Sequence, residues 1–338
     1  MSEISKVTVL GGGSFGTAIA NIAAENGHDV TIWMRDQARV EEILSSRENK
    51  RYMPDYILSE NLTPTSDLEA AISSAEIVFV SIPSKSFRSV LQNAKPFIRP
   101  DQIFISTTKG IELDSFKLMT EIIEQELETD LVGVLSGPNL AKEIAKRNLT
   151  ASVIASKQAH IAPMIQELLG NDYFRVYASE DTYGVELGGA LKNIYAIISG
   201  LAAALGAGEN TKSMLITRSL AEMSRFAVQM GANPLTFLGL SGVGDLVVTC
   251  SSPLSRNYRV GYAIGQGKTL DEAVEELGEV AEGINTLKII FSKAKELDVY
   301  MPLVSGLHMV LFEGASIKEV SHGLMLGAHK QDVEFILS

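Results

Sequence analysis

Apolar and polar positions change rhythm part-way along the chain. In the first half, short apolar runs alternate with segments of helical spacing. Lys6–Leu10 is the first run and Asp29–Met34 the second. Ile77–Ile82 is nearly unbroken and stops at Pro83. Ile103–Thr107, Leu131–Leu135, Ser152–Ala155 and Phe174–Tyr177 follow. A strand with one wet face alternates apolar and polar residues, whereas a strand covered on both faces is apolar throughout. These runs, with helical stretches such as Ser14–Glu25 between them and Gly27 as its C-terminal stop, predict parallel strands covered by helices on both faces.

Beyond about Ala178 the spacing becomes helical almost throughout. Tyr183–Leu205, Lys212–Met230, Leu270–Leu277, Thr286–Leu297 and Pro302–Phe312 all carry it. The expected fold class is therefore α/β. A Rossmann-type doubly wound sheet over residues 1–179 precedes an all-helical domain over 180–338 that would bind substrate and carry catalysis. The 338 residues suit two domains of ordinary size. No internal repeat or low-complexity segment interrupts them.

The formal net charge of -12 argues against a nucleic-acid-binding surface, which is usually basic. Any phosphate site must then be built locally, from a few cations and helix N-termini. The lone Cys250 permits no disulfide within the chain and no Cys-rich metal site, and a buried structural thiol is the expectation for it. His28, His160, His308, His322 and His329 show no ligand spacing, so no metal is assigned. Met1–Leu10 lacks the basic and apolar regions of a signal peptide. Ile194–Ala207, the most apolar stretch, is shorter than the ~20 residues that span a bilayer and reads as a buried helix. A soluble cytoplasmic protein without membrane insertion is expected.

Gly11, Gly13 and Gly16 form G-x-G-x-x-G between the first strand and the first helix. That context makes the motif informative. Gly11 permits the tight turn, Gly13 lets backbone approach a pyrophosphate, and Gly16 lets helix pack on strand. The N–H groups at the start of the helix face the anion. The second strand ends Trp33-Met34-Arg35-Asp36. Arg35 suits a 2′-phosphate and Asp36 a ribose hydroxyl, so NAD(H) and NADP(H) both stay open.

Four further segments carry candidate chemistry. Lys109 follows a strand in Thr107-Thr108-Lys109-Gly110, where open sheets bind ligands, although it also reads as a loop lysine. Ser136-Gly137-Pro138-Asn139-Leu140-Ala141 offers backbone N–H groups and the Asn139 amide, or simply a turn with Asn139 as helix N-cap. Lys192, after Gly188, Gly189 and Ala190, begins an uncharged stretch. It either snorkels to water or is held where it moves a proton. Asp245 lies among Gly and Val in Leu240–Leu246. Ser255-Arg256-Asn257 then precedes a helical pattern and suits an anion, or is an N-cap and a surface charge.

Taken in order, these segments resemble bacterial NAD(P)-dependent glycerol-3-phosphate dehydrogenases along essentially the whole chain. Gly189-Ala190-Leu191-Lys192-Asn193-Ile194-Tyr195-Ala196 is the most specific match. Gly137–Glu143, Gly242–Leu246 and Ser255–Asn257 also match. The resemblance implies interconversion of dihydroxyacetone phosphate and sn-glycerol 3-phosphate, feeding glycerophospholipid synthesis. It implies Lys192 as acid/base with Asp245 beside it. Lys109, Gly137, Asn139, Asp245, Ser255, Arg256 and Asn257 would line the substrate. Ser14, Phe15, Arg35, Lys109, Ala141, Arg256, Val280 and Glu282 would contact the cofactor. Two positions depart from the common pattern: Phe15 stands where many relatives have Trp, and Asn139 where others often have Ser or Thr. A homodimer is compatible with the helical second domain.

Rival readings are a hydroxy-acid dehydrogenase of similar build, a sugar-nucleotide dehydrogenase with Cys250 as nucleophile, and a dinucleotide-sensing regulator. The Ser255-Arg256-Asn257 segment argues against the first. The absence of a basic helix argues against the last.

Overall fold

The computed structural model describes residues 5–278 and 281–326. The chain divides into two compact units, Met1–Glu186 and Leu187–Ser338. The seam falls inside a helix that starts at Thr182, seven residues past the expected boundary at 179.

Among the described residues the first unit holds eight strands. They are β1 (Lys6–Leu10), β2 (Asp29–Trp33), β3 (Leu62–Thr65), β4 (Ile77–Val80), β5 (Ile103–Ser106), β6 (Val132–Ser136), β7 (Thr150–Ser156) and β8 (Phe174–Ser179). They form one sheet in the order β3-β2-β1-β4-β5-β6-β7-β8. Its helices are α1 (Ser14–Glu25), α2 (Gln37–Ser46), α3 (Leu68–Ser73), α4 (Ser84–Ala94), α5 (Met119–Leu127), α6 (Ala141–Ile144) and α7 (Ile161–Leu169).

The unbroken apolar runs have the predicted cause. Ile77 and Phe79 of β4 pack in one core with α1 and α7, while Val78 and Val80 pack in a second core with α4 and α5. Ile103 and Ile105 against Phe104 repeat that division on β5. Successive side chains point to opposite faces, and both faces are covered.

Two expectations about the sheet are corrected. The sheet is mixed, because β7 runs antiparallel to β6, with Ser136 opposite Val153. Burial on both faces gives a strand the same apolar run whichever way it points. An additional strand, β3, escaped the sequence pattern because it is only LTPT. Its Pro64 is tolerated because β3 is an edge strand.

The described part of the second unit contains helices and no strand. α8 (Thr182–Ala204) is followed by α9 (Glu209–Gln229), α10 (Asp245–Ser251), α11 (Arg256–Gly265), α12 (Leu270–Leu277), α13 (Glu282–Glu296), α14 (Pro302–Phe312) and α15 (Ile317–Leu326). A π-helical turn, Leu240–Gly244, leads into α10. At 23 residues α8 is long and apolar enough to cross a membrane, contrary to the expectation from Ile194–Ala207 alone. Its residues are mostly buried inside the protein, as a core helix requires. α8 and α11 touch backbone to backbone. A Cβ on Gly261 would collide with the Ile197 carbonyl, so only glycine fits there.

Candidate active site

In the first unit, strand order reverses between β1 and β4. Open α/β sheets bind ligands beyond the carboxyl ends of strands at such a point. Gly11 follows β1 there with φ +119, and a Cβ on it would strike the Ser81 carbonyl that follows β4. A Cβ on Gly16 would strike the Gly11 carbonyl, so this glycine closes α1 onto the turn. Gly13 differs from both. Nothing lies within 4 Å of the Cβ it lacks, and it precedes α1 without a side-chain cap. Two glycines thus serve internal packing, while Gly13 leaves an open cradle beside a helix N-terminus. That arrangement fits a dinucleotide pyrophosphate.

Asn49 holds this turn from below. Fully buried, it donates to the Gly12 carbonyl at 2.9 Å and to Thr17 Oγ1 at 2.8 Å. Ser14 Oγ donates to the Tyr52 carbonyl at 3.3 Å, and Phe15 packs against the adjoining core. Past β2, Arg35 is exposed. Asp36 caps α2 by accepting from Ala38 N at 3.1 Å, and it pairs with Arg39 at 3.4 Å. Arg39 in turn stacks on the Tyr52 ring, 5.0 Å from its centroid.

Farther along the same edge, Lys109 Nζ donates to the Gly137 carbonyl at 3.0 Å. Gly137 has φ +138. Asn139 is not a helix cap, since Leu140 occupies the N-cap of α6 and Ala141 is its first residue. Its Oδ1 instead accepts from Ser152 Oγ at 2.7 Å.

The second unit joins residues far apart in sequence. Lys192 of α8 does not snorkel. It is buried, and its Nζ donates to Asp245 Oδ1 at 2.5 Å and to Thr249 Oγ1 at 2.5 Å. Asp245 is fully buried at the first position of α10, straight after the π-helical turn. Asp245 and Thr249 are four residues apart and so share one helix face. A buried ammonium needs a counter-charge and further acceptors, and these two side chains supply both.

Ser255 caps α11 by accepting from Tyr258 N at 3.3 Å, and Arg256 is exposed at the first helical position. Asn257 is buried. Its Nδ2 donates to Asn193 Oδ1 at 2.9 Å and its Oδ1 accepts from Gly283 N at 3.0 Å, tying α8, α11 and α13 together. Glu282 begins α13. Val280 lies outside the described residues.

The sequence profiles of the NAD-dependent glycerol-3-phosphate dehydrogenase N-terminus and C-terminus match residues 6–162 and 181–322. The chain belongs to that family. The NAD(P)+ glycerol-3-phosphate dehydrogenase of Ectopseudomonas mendocina is 59% identical over 336 residues, covering 99% of this chain and 98% of that protein. The Saccharophagus degradans protein of the same name is 57% identical over 334 residues, 99% of this chain and 93% of its own. The solved glycerol-3-phosphate dehydrogenase of Coxiella burnetii superposes with a TM-score of 0.91 at 34% identity, covering 96% of this chain and 99% of that one. The chain is accordingly an NAD(P)-dependent oxidoreductase, a glycerol-3-phosphate dehydrogenase.

Sequence reasoning missed two residues of this dehydrogenase's candidate site. Thr249 had a usable signal, its i+4 spacing from Asp245. Asn49 had none, because it sits in an irregular segment between α2 and β3.

Proposed function

We propose that this dehydrogenase interconverts dihydroxyacetone phosphate and sn-glycerol 3-phosphate, with Lys192 exchanging the proton at the C2 oxygen. The buried Lys192–Asp245–Thr249 cluster carries the proposal. A bound nicotinamide dinucleotide supplies or accepts hydride at C2. In reduction, negative charge develops on the C2 oxygen, and the ammonium of Lys192 stabilises it and then donates a proton. Asp245 and Thr249 fix the direction of the ammonium, so little reorganisation is needed when charge develops. In oxidation the neutral amine takes the proton back.

Supporting roles follow the resemblance. Arg256 and the N–H groups opening α11 suit the substrate phosphate. Lys109, Gly137 and Asn139 of the first unit, with Ser255 and Asn257 of the second, would complete the substrate set. Among the described residues Asn257 Nδ2 donates to Asn193 and its Oδ1 accepts from Gly283, which leaves a second amide hydrogen for that purpose. The cofactor set is Gly11, Gly13, Ser14, Phe15, Gly16, Arg35, Lys109, Ala141, Arg256 and Glu282. Asp36 is committed to capping α2, while Arg35 and Arg39 place two guanidiniums after β2. That supports use of NADP(H) as well as NAD(H). A role in glycerophospholipid synthesis fits this product, and the cytoplasm is the compartment we propose for it.

The test is oxidation of NADH and NADPH by the pure protein, with and without dihydroxyacetone phosphate, for the wild type and Lys192→Ala. The variant should lose about 10²–10⁴-fold in kcat while keeping its NADH affinity. A near-normal kcat would remove Lys192 from the reaction.

A further inference from the structure

The turn after β6 rests on β7. A Cβ on Gly137 would lie 3.2 Å from Ser152 Cα and 3.2 Å from the Ala151 carbonyl. Ser152 is fully buried at this contact, and its Oγ donates to Asn139 Oδ1 at 2.7 Å. The other end of that amide, Nδ2, is also buried and has no hydrogen-bond partner among the described residues. Ser136 Oγ, one residue before Gly137, is likewise buried with no hydrogen-bond partner among the described residues.

Buried polar groups are almost always hydrogen-bonded, and an exception needs a reason. An amide side chain has one acceptor end and one donor end. With Oδ1 engaged by Ser152, the donor end is what Asn139 presents away from β7. Lys109 Nζ, held on the Gly137 carbonyl, is a second donor on the same turn. Two donors suit an oxygen that carries negative charge.

We infer that Ser152 is a positioning residue, which holds the Asn139 amide so that Nδ2 donates to a carbonyl oxygen of a bound ligand. This rests on reading Asn139 as a ligand contact. Two carbonyl groups share the chemistry, the C2 ketone of the substrate and the carboxamide of the nicotinamide. Without the Ser152 hydroxyl the amide loses its anchor and can turn about its last torsion, so its donor end is no longer held in place. Ser152 touches no reacting atom, and its effect passes entirely through Asn139.

The test is a cycle of Ser152→Ala, Asn139→Ala and the double variant. The readouts are kcat, the KM for dihydroxyacetone phosphate, the Kd for NADH and the unfolding midpoint. Ser152→Ala should lower kcat/KM about 3- to 10-fold with little change in midpoint, the size expected for one hydrogen bond. In the Asn139→Ala background it should lower it no further, since the two residues act as a unit. A raised KM would assign the oxygen to the substrate ketone and a raised Kd to the carboxamide, and either supports the inference. Equal losses in both backgrounds would mark Ser152 as merely structural and overturn it, as would full activity of Ser152→Ala. If Asn139→Ala itself is fully active, the reading of Asn139 fails and the inference falls with it. A defect in Asn139→Ala without coupling would sink only the role of Ser152.

Discussion

Lys192 and Asp245 stand 53 positions apart in the chain, yet their charged ends meet at 2.5 Å with side chains 8% and 1% exposed. Such a pair is weak evidence of stability, because desolvation offsets most of the attraction. Removing one partner is different, because it strands the other charge in the interior. Asp245→Asn should destabilise the protein by about 3–5 kcal/mol and lower kcat strongly. The double variant Lys192→Met/Asp245→Leu should recover most of the stability and none of the turnover. Denaturant titration and steady-state assays on the three proteins check this. Equal stability of Asp245→Asn and wild type would contradict the burial argument.

Two glycines of the cofactor turn should separate folding from binding. Gly16→Ala forces a Cβ into the Gly11 carbonyl and should lower the unfolding midpoint. Gly13→Ala adds a Cβ in open space, so it should fold normally and bind NADH more weakly. Thermal melts with and without NADH distinguish the two. Unchanged NADH affinity in Gly13→Ala would place the pyrophosphate elsewhere.

Glu186 accepts from Thr120 N at 3.0 Å and from Thr120 Oγ1 at 2.5 Å, and burial raises its carboxyl from 4.5 to about 8. Neighbouring Glu121 adds to the rise, and the Thr120 bonds oppose it. The neutral acid can donate to Thr120 Oγ1 and still accept from its N–H, so the protonated form suits the site. The folded state therefore holds a proton that the unfolded state has lost above about pH 4.5. This contribution to stability is full below pH 4.5. It falls as pH rises toward 8, by up to about 1.4 kcal/mol per pH unit. Glu186→Gln should flatten that decline. An identical pH dependence of stability in variant and wild type would refute the assignment.

Arg256→Ala should raise the KM for dihydroxyacetone phosphate by about tenfold or more, with a smaller change in kcat. A charge-assisted bond of about 1.5–3 kcal/mol is lost. An unchanged KM would remove Arg256 from the phosphate site.

Cys250 is buried, and burial pushes its thiol up to about 11. Cys250→Ser should keep near-normal activity, and the native protein should react slowly with a thiol reagent at pH 8. Loss of activity in that variant would revive the nucleophile reading.

The sequence by itself determined the class of fold and the kind of cofactor. Strands covered on both faces must be apolar throughout, and a turn that lets a helix start beside β1 must carry Gly11 and Gly16. Both demands are local, so Lys6–Leu10 and Ser14–Glu25 were legible to the residue. Strand direction was not local. β7 carries a buried run like those of the parallel strands β4 and β5, and only its hydrogen-bond register shows that it runs against β6. The short edge strand β3, with Pro64 inside it, was below the reach of periodicity. Lys192, Asp245 and Arg256 could be singled out as charges in apolar or Gly-rich surroundings, but their partners could not. Whether Lys192 reaches water or a carboxylate depends on how α8 packs on α10. Asn139 lies one residue before the Leu140 N-cap of α6, and the partner of its Oδ1, Ser152, comes from another strand. A buried polar group takes its character from what satisfies it, and those partners are assembled only when distant segments pack.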